Sequence, residues 1–128
     1  MRLLLDTHTL IWWSTSSENL PERVLGLLED PQNDLLLSIA SVWEMQIKLQ
    51  SGKLKLGKPL SGLIANQQAN NELKILPIAL PHVFALQSLP DLHRDPFDRI
   101  MIAQTMVENL PFVSCDVVLD GYSIQRLW

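Results

Sequence analysis

Four carboxylates stand where backbone elements are expected to change: Asp6, Glu44, Asp98 and Asp116. Asp6 ends the apolar run Leu3-Leu4-Leu5, and Glu44 opens a helical stretch in Ser41-Val42-Trp43-Glu44. Asp98 lies in the loop-to-helix segment Arg94-Asp95-Pro96-Phe97-Asp98-Arg99, and Asp116 follows Phe112-Val113-Ser114. In an open α/β sheet the carboxyl ends of parallel strands gather along one edge, and ligands bind there. Acids far apart in the chain can therefore meet in one pocket. Crowded like charges repel and raise one another's pKa unless a cation neutralises them. Hard oxygen ligands without His or Cys favour magnesium or manganese over zinc. Metal-assisted hydrolysis is the chemistry such a set would serve.

Each acid also has an ordinary explanation. Asp6 caps a following helix as readily as it binds a metal. Ser41-x-x-Glu44 is a capping box, with the Glu side chain turned back to the helix start. Asp95 and Asp98 are helix-start acids that the macrodipole favours, and Asp116 suits a turn. The functional reading rests on all four falling at junctions of one sheet edge. His8, His82 and His93 show no ligand spacing and are read as structural or surface residues. Cys115 is read as a small buried filler. Trp12, Trp13 and Trp43 lie in apolar helical stretches and belong to a core or an interface.

The elements that must position these side chains alternate along the chain. Leu3 to Asp6 and Leu35 to Leu37 read as buried strands, being continuous apolar runs. A helix is expected to begin at Leu10. Leu20, Val24, Leu27 and Leu28 recur at helical spacing behind Pro21. Ser38 or Ser41 caps the next helix, whose apolar positions Ile39, Val42, Trp43 and Ile47 make one stripe, with Gly52 as its stop. Further helices are expected around Leu60 to Gln67, over Pro81 to Leu89 with Val83 and Leu86 inward, and from Phe97 to Asn109. Short strands are expected within Leu73 to Ile78, over Phe112 to Ser114 and over Ile124 to Trp128, with a helical turn from Val117 to Tyr122. Strands alternating with helices predict a parallel sheet covered on both faces.

The 128 residues suit a single domain with a real core, and 47% hydrophobic against 19% charged residues is a globular composition. One cysteine excludes an internal disulfide framework and fits a reducing cytoplasm. No apolar run approaches the roughly 20 residues that span a bilayer, and Asp6 interrupts any signal-peptide core. A cytoplasmic protein is expected. The net charge of −4 gives no global support for nucleic-acid binding, although Lys48, Lys53, Lys55 and Lys58 form a local basic stretch.

Taken together, the motifs resemble PIN-domain ribonucleases, in particular the VapC-type toxins of bacterial toxin–antitoxin pairs. Leu3-Leu4-Leu5-Asp6-Thr7-His8-x-Leu10-Ile11-Trp12-Trp13 is similar to the family's opening, and Ser38-x-x-Ser41-x-Trp43-Glu44-x-x-Ile47-Lys48 to its second acidic motif. His93-Arg94-Asp95-Pro96-Phe97-Asp98-Arg99-x-x-x-Ala103-Gln104 is similar to the third, the most specific of the set. Val113-Ser114-x-Asp116, with Leu119, Tyr122 and Leu127-Trp128, is similar to the fourth and the tail. The resemblance covers nearly the whole chain, in family order. It implies one PIN domain over residues 1–128, a three-layer α/β/α sandwich with a central parallel sheet. It implies a magnesium or manganese site at Asp6, Glu44, Asp98 and Asp116 that cleaves RNA. Thr7 and Ser114 would be polar neighbours of the metal ligands, Ser114 standing where threonine is commoner. Asp95 also matches a family position, and Arg99 would orient a carboxylate or contact phosphate. A homodimer that binds a small antitoxin protein is implied as well. The alternatives are a catalytically silent RNA- or protein-binding module, or a stand-alone RNA-processing nuclease. A receiver-like or phosphatase-like switch lacks its partner residues, since His8 stands where a second phosphatase Asp is needed.

Overall fold

The computed structural model describes residues 1–128. Its centre is a five-stranded sheet, β1 (Arg2–Leu5), β2 (Asp34–Ser38), β3 (Lys74–Leu76), β4 (Phe112–Val113) and β5 (Arg126–Leu127). The strand order is β3-β2-β1-β4-β5 and every pairing is parallel. Leu3, Leu4 and Leu5 are wholly buried because both faces of β1 are covered. Successive side chains point to opposite faces. Leu3, Leu5, Leu35, Leu37 and Val113 pack into one core, and Leu4, Leu36 and Phe112 into the other.

Helices α1 (Thr7–Thr15), α2 (Glu22–Glu29) and α4 (Leu60–Asn71) contribute Leu10, Val24 and Leu63 to the first core. Helix α6 (Pro96–Glu108) contributes Ile100 and Ile102 to the second, and α5 (Leu80–Ala85) packs beside it through Ala85. Helix α3 (Ile39–Gln50) serves both cores, Met45 entering the first and Ala40 the second. The outcome is the expected three-layer α/β/α sandwich.

Several local expectations are corrected. Helix α1 starts directly after Asp6, three residues ahead of the expected Leu10. Helix α3 is capped by Ser38, whose Oγ accepts from Ala40 N at 3.0 Å. Glu44 therefore lies in the second turn of α3 rather than at its start, and the Ser41–Glu44 capping box does not form. The apolar stripe of α3 lies mostly on its outer face: Ile39, Trp43 and Ile47 are exposed and Val42 is half-buried, while Ala40, Ser41, Glu44 and Met45 are buried. On α5, Val83 is exposed and His82 is buried in its place. His82 Nδ1 accepts from Ala79 N at 2.9 Å and Nε2 meets Glu108 at 2.9 Å, so this residue is structural as expected. Cys115 is exposed and free rather than a buried filler. No helix is long and apolar enough to cross a membrane.

Candidate active site

The chain runs from β1 out through β2 to β3, then returns to the other side of β1 for β4 and β5. The order reverses between β1 and β4, which opens a crevice at the carboxyl ends of those strands. Leu5 is the register partner of Val113. Asp6 and Ser114, the next residues, are thereby set side by side, and Ser114 Oγ donates to Asp6 Oδ2 at 2.6 Å. Asp6 is also the N-cap of α1, its Oδ1 accepting from Thr7 N at 2.8 Å. The capping role and the placement in the crevice are compatible uses of one side chain.

Glu44 arrives from the side. Inward rotation of α3 buries it, and Thr7 Oγ1 lies 2.7 Å from its Oε1 and 2.8 Å from Ser41 Oγ. An ionised carboxylate only accepts, so the threonine proton goes to Glu44. Lys48, one turn on, donates to Oε2 at 2.9 Å. Asp95 and Asp98 come with α6. Asp95 is the N-cap, accepting from Phe97 N at 2.8 Å and Asp98 N at 3.4 Å. Asp98, in the first turn, projects beside it, where the helix dipole favours negative charge. Asp116 caps the 3-10 turn Val117–Gly121 through Val118 N at 3.1 Å.

These side chains line one cavity of about 380 Å³: Asp6, Glu44, Asp95, Asp98 and Asp116, with Lys48, His8 and Cys115. All four candidate acids and Asp95 are brought to it. Thr7 and Ser114 stand directly behind two of them. Arg99 points elsewhere, its Nη1 donating to the carbonyls of Pro90 at 3.0 Å and His93 at 3.2 Å. It braces the preceding loop, and its nearest carboxylate is the exposed Asp91 at 3.6 Å. Lys53, Lys55 and Lys58 are exposed away from the cavity, so Lys48 alone of the basic stretch lines it.

One member of the site escaped the sequence analysis. His93 Nε2 sits 2.7 Å from Asp116 Oδ2 and 3.5 Å from Asp98 Oδ2. Its spacing to the acids is irregular because a loop, rather than a helix face, carries it in. The available signal was its place at the head of the third motif, five residues before Asp98.

The electrostatics record the crowding. Asp98 is pushed up to about 7, first by burial and then by the charges of Asp6 and Asp95, with His93 pulling the other way and Glu44 adding to the rise. Burial also raises Asp6, against the hydrogen bonds from Ser114 and the Thr7 amide. Burial opposes the charged ring of His93, yet the bond to Asp116 and the charges of Asp98, Asp116 and Asp95 outweigh it and raise its pKa. The Glu44 hydrogen bond holds the Lys48 ammonium above its ordinary value. Cys115 is exposed as a residue, but partial desolvation of its thiol and the Asp6 charge raise its pKa above the ordinary value.

The donor set fits a hard divalent cation. Five carboxylates face the cavity, and burial holds two of them, Asp6 and Asp98, above the usual carboxylate range for want of positive charge. No three acidic, imidazole or thiol groups stand close enough together to form a preassembled coordination shell. The side chains would have to draw inward around an ion.

Comparisons with known proteins bear on the fold. No characterised protein sequence matches the chain significantly. Among solved structures it is similar to VapBC2 from Rickettsia felis bound to a promoter DNA fragment, with a TM-score of 0.77 at 15% identity, covering 99% of this chain and 98% of that one. It is also similar to VapBC-1 from nontypeable Haemophilus influenzae, with a TM-score of 0.66 at 15% identity and 99% and 97% coverage. A toxin–antitoxin complex from Klebsiella pneumoniae gives a TM-score of 0.62 at 18% identity and 98% and 96% coverage. At these identities the likeness establishes the fold. The PIN domain family model matches residues 3–123, from the first residue of the β1 core through the turn that follows Asp116, and the chain therefore belongs to the PIN domain family.

Proposed function

We propose that this protein is a metal-dependent endoribonuclease that hydrolyses RNA phosphodiester bonds and acts as the toxin of a toxin–antitoxin pair in the cytoplasm. The observation that carries this reading is the single cavity at the β1/β4 crevice, where five carboxylates meet and burial raises the pKa of two. Such a cluster is costly to maintain unless a cation uses it. Asp6, Glu44, Asp98 and Asp116 would hold magnesium or manganese, with Asp95 in reserve beside Asp98. A divalent ion held there would neutralise the non-bridging oxygens of a phosphodiester and make water a better nucleophile.

The chain's own residues do the rest. Ser114 and Thr7 fix one oxygen each of Asp6 and Glu44, so these two acids cannot rotate away. Lys48, half-exposed at the cavity wall, balances Glu44 and becomes available to a backbone phosphate once a metal takes over that charge. His8 and Cys115 both line the cavity, but no hydrogen bond joins them as a nucleophile and its base.

The toxin role draws support from the solved relatives, which include toxin–antitoxin complexes. The partner would be a small antitoxin laying an amphipathic segment on the protein and placing an Arg or Lys among the acids, a fixed cation in place of the metal. A homodimer completes the proposal.

Purified protein incubated with RNA in magnesium or manganese tests the reading. Cleavage is expected only with the metal, and EDTA or Asp98→Asn should abolish it. Cleavage at full rate in EDTA, or by Asp98→Asn, would remove the metal-nuclease assignment. A neighbouring small protein that neither co-purifies nor suppresses cleavage would leave a stand-alone nuclease as the better account.

A further inference from the structure

His93 lies outside the four-acid set, yet its ring is seated against two of those acids. A carboxylate oxygen only accepts, so Nε2 carries the proton and donates to Asp116 Oδ2 at 2.7 Å. The other oxygen, Oδ1, accepts from Val118 N at 3.1 Å. Asp116 is thus gripped from two sides, by its own turn and by the loop that precedes α6.

That loop is itself clamped. Arg99 Nη1, from α6, donates to the carbonyls of Pro90 and His93. Tyr122, buried at the end of the turn that Asp116 caps, donates its hydroxyl proton to Pro90 O at 3.1 Å and accepts from His93 N at 2.8 Å. Two separate elements fix the backbone of one residue, and its ring ends on a site carboxylate. A neutral imidazole makes the Nε2–H bond as well as a charged one, so the arrangement does not depend on the ring's charge.

We infer that His93 is a positioning residue, whose hydrogen bond sets the orientation of Asp116 and ties it to the Asp98 side of the cavity. The inference rests on the metal-nuclease reading above. Hydrogen-bond partners of metal-ligating side chains change metal affinity or activity by about 10- to 100-fold when removed.

The test is Mn2+ binding, followed by electron paramagnetic resonance at pH 8, alongside thermal melts that report folding. His93→Phe keeps the ring but loses the donor, and should bind Mn2+ about 10- to 100-fold more weakly than the parent. His93→Gln carries an amide N–H to about the Nε2 position and should recover most of the loss. Tyr122→Phe, which frees the loop but leaves the ring, should fall between. If His93→Phe does not fold, His93→Asn takes its place, since its amide stops short of Asp116. Parent-like affinity in the Phe or Asn variant, or a Gln variant as weak as Phe, overturns the inference and leaves the metal-nuclease reading intact. A parent protein that binds no Mn2+ overturns both.

Discussion

Asp98 carries the plainest consequence of packing acids together. Its pKa stands at about 7 in the folded protein, against 3.8 ordinarily. Between those values the unfolded chain has released the proton and the folded one retains it, so stability falls as pH rises through that window. The metal-free protein should therefore be least stable above pH 7. Asp98→Asn should raise its stability there by about 2 kcal/mol, a value discounted for the partial exposure of the group, while abolishing RNA cleavage. Urea denaturation at pH 5 and pH 8 checks the sign, and a gain equal at both pH values would contradict it. Metal binding must also strip this proton, so calorimetry at pH 6 in buffers of different ionisation enthalpy should show proton release that fades by pH 8. Ser114→Ala should act oppositely to Asp98→Asn. It leaves a buried Asp6 oxygen without its 2.6 Å donor and should cost about 1–3 kcal/mol, read from the denaturation midpoint. The sequence announced the four acids because carboxylates beside apolar runs stand out. It concealed His93, whose role depends on how Arg99 and Tyr122 fold a loop back, and no local pattern encodes that.

The strands and helices were legible because hydrophobic period and strand length are local. Leu3-Leu4-Leu5 and Leu35-Leu36-Leu37 could be buried on both sides only in a covered parallel sheet. The errors arose where tertiary contacts choose among local options. Ser38 and Ser41 are equally good caps by composition, yet β2 runs through Ser38 and hands the cap to it, moving Glu44 into the helix body. That shift rotates α3 so that Ser41 and Glu44 face Thr7 while Ile39, Trp43 and Ile47 face out. The helix ends carry a further expectation. Glu72, the C-cap of α4, adopts φ 55 and Asn109, the C-cap of α6, φ 54. Asparagine tolerates this left-handed region and glutamate does not. Glu72→Gly should stabilise the fold by about 0.5–1 kcal/mol, and Asn109→Gly by clearly less. Thermal melts of the two variants side by side check the ranking.

For the whole molecule, the outward rotation of α3 leaves an apolar face at the surface, which the proposed homodimer would cover. Trp12 and Trp13 are among the residues expected in a core or an interface, and Met45 is a further large apolar residue of the chain. Met45 lies wholly in the core, and the two tryptophans are half-buried against it. The exposed apolar residues are elsewhere: Trp43 at 59%, Leu80 at 68% and Phe84 at 67%, on the outer faces of α3 and α5. Between the helices lies an apolar groove of about 370 Å³ lined by Ala40, Trp43, Ile78, Val83, Pro96, Phe97 and Ile100. Trp43 and Phe97 meet edge to face at its rim, with ring centroids 5.1 Å apart. Side chains of this size expose an apolar patch on the order of 500 Å², at the upper end for a monomer. A standard interface covers about 800 Å² on each partner, so two such faces packed together would supply most of it. The groove has no charged lining residue, so no buried charge opposes its covering. The acid cavity is lined by other side chains. Light scattering at micromolar concentration should give the mass of a dimer, about twice 14.5 kDa. Trp43→Glu or Phe84→Glu should give monomers that keep the folded far-ultraviolet signal. A dimer unaffected by both substitutions would place the interface on another face, and a monomeric parent would remove the dimer from the proposal.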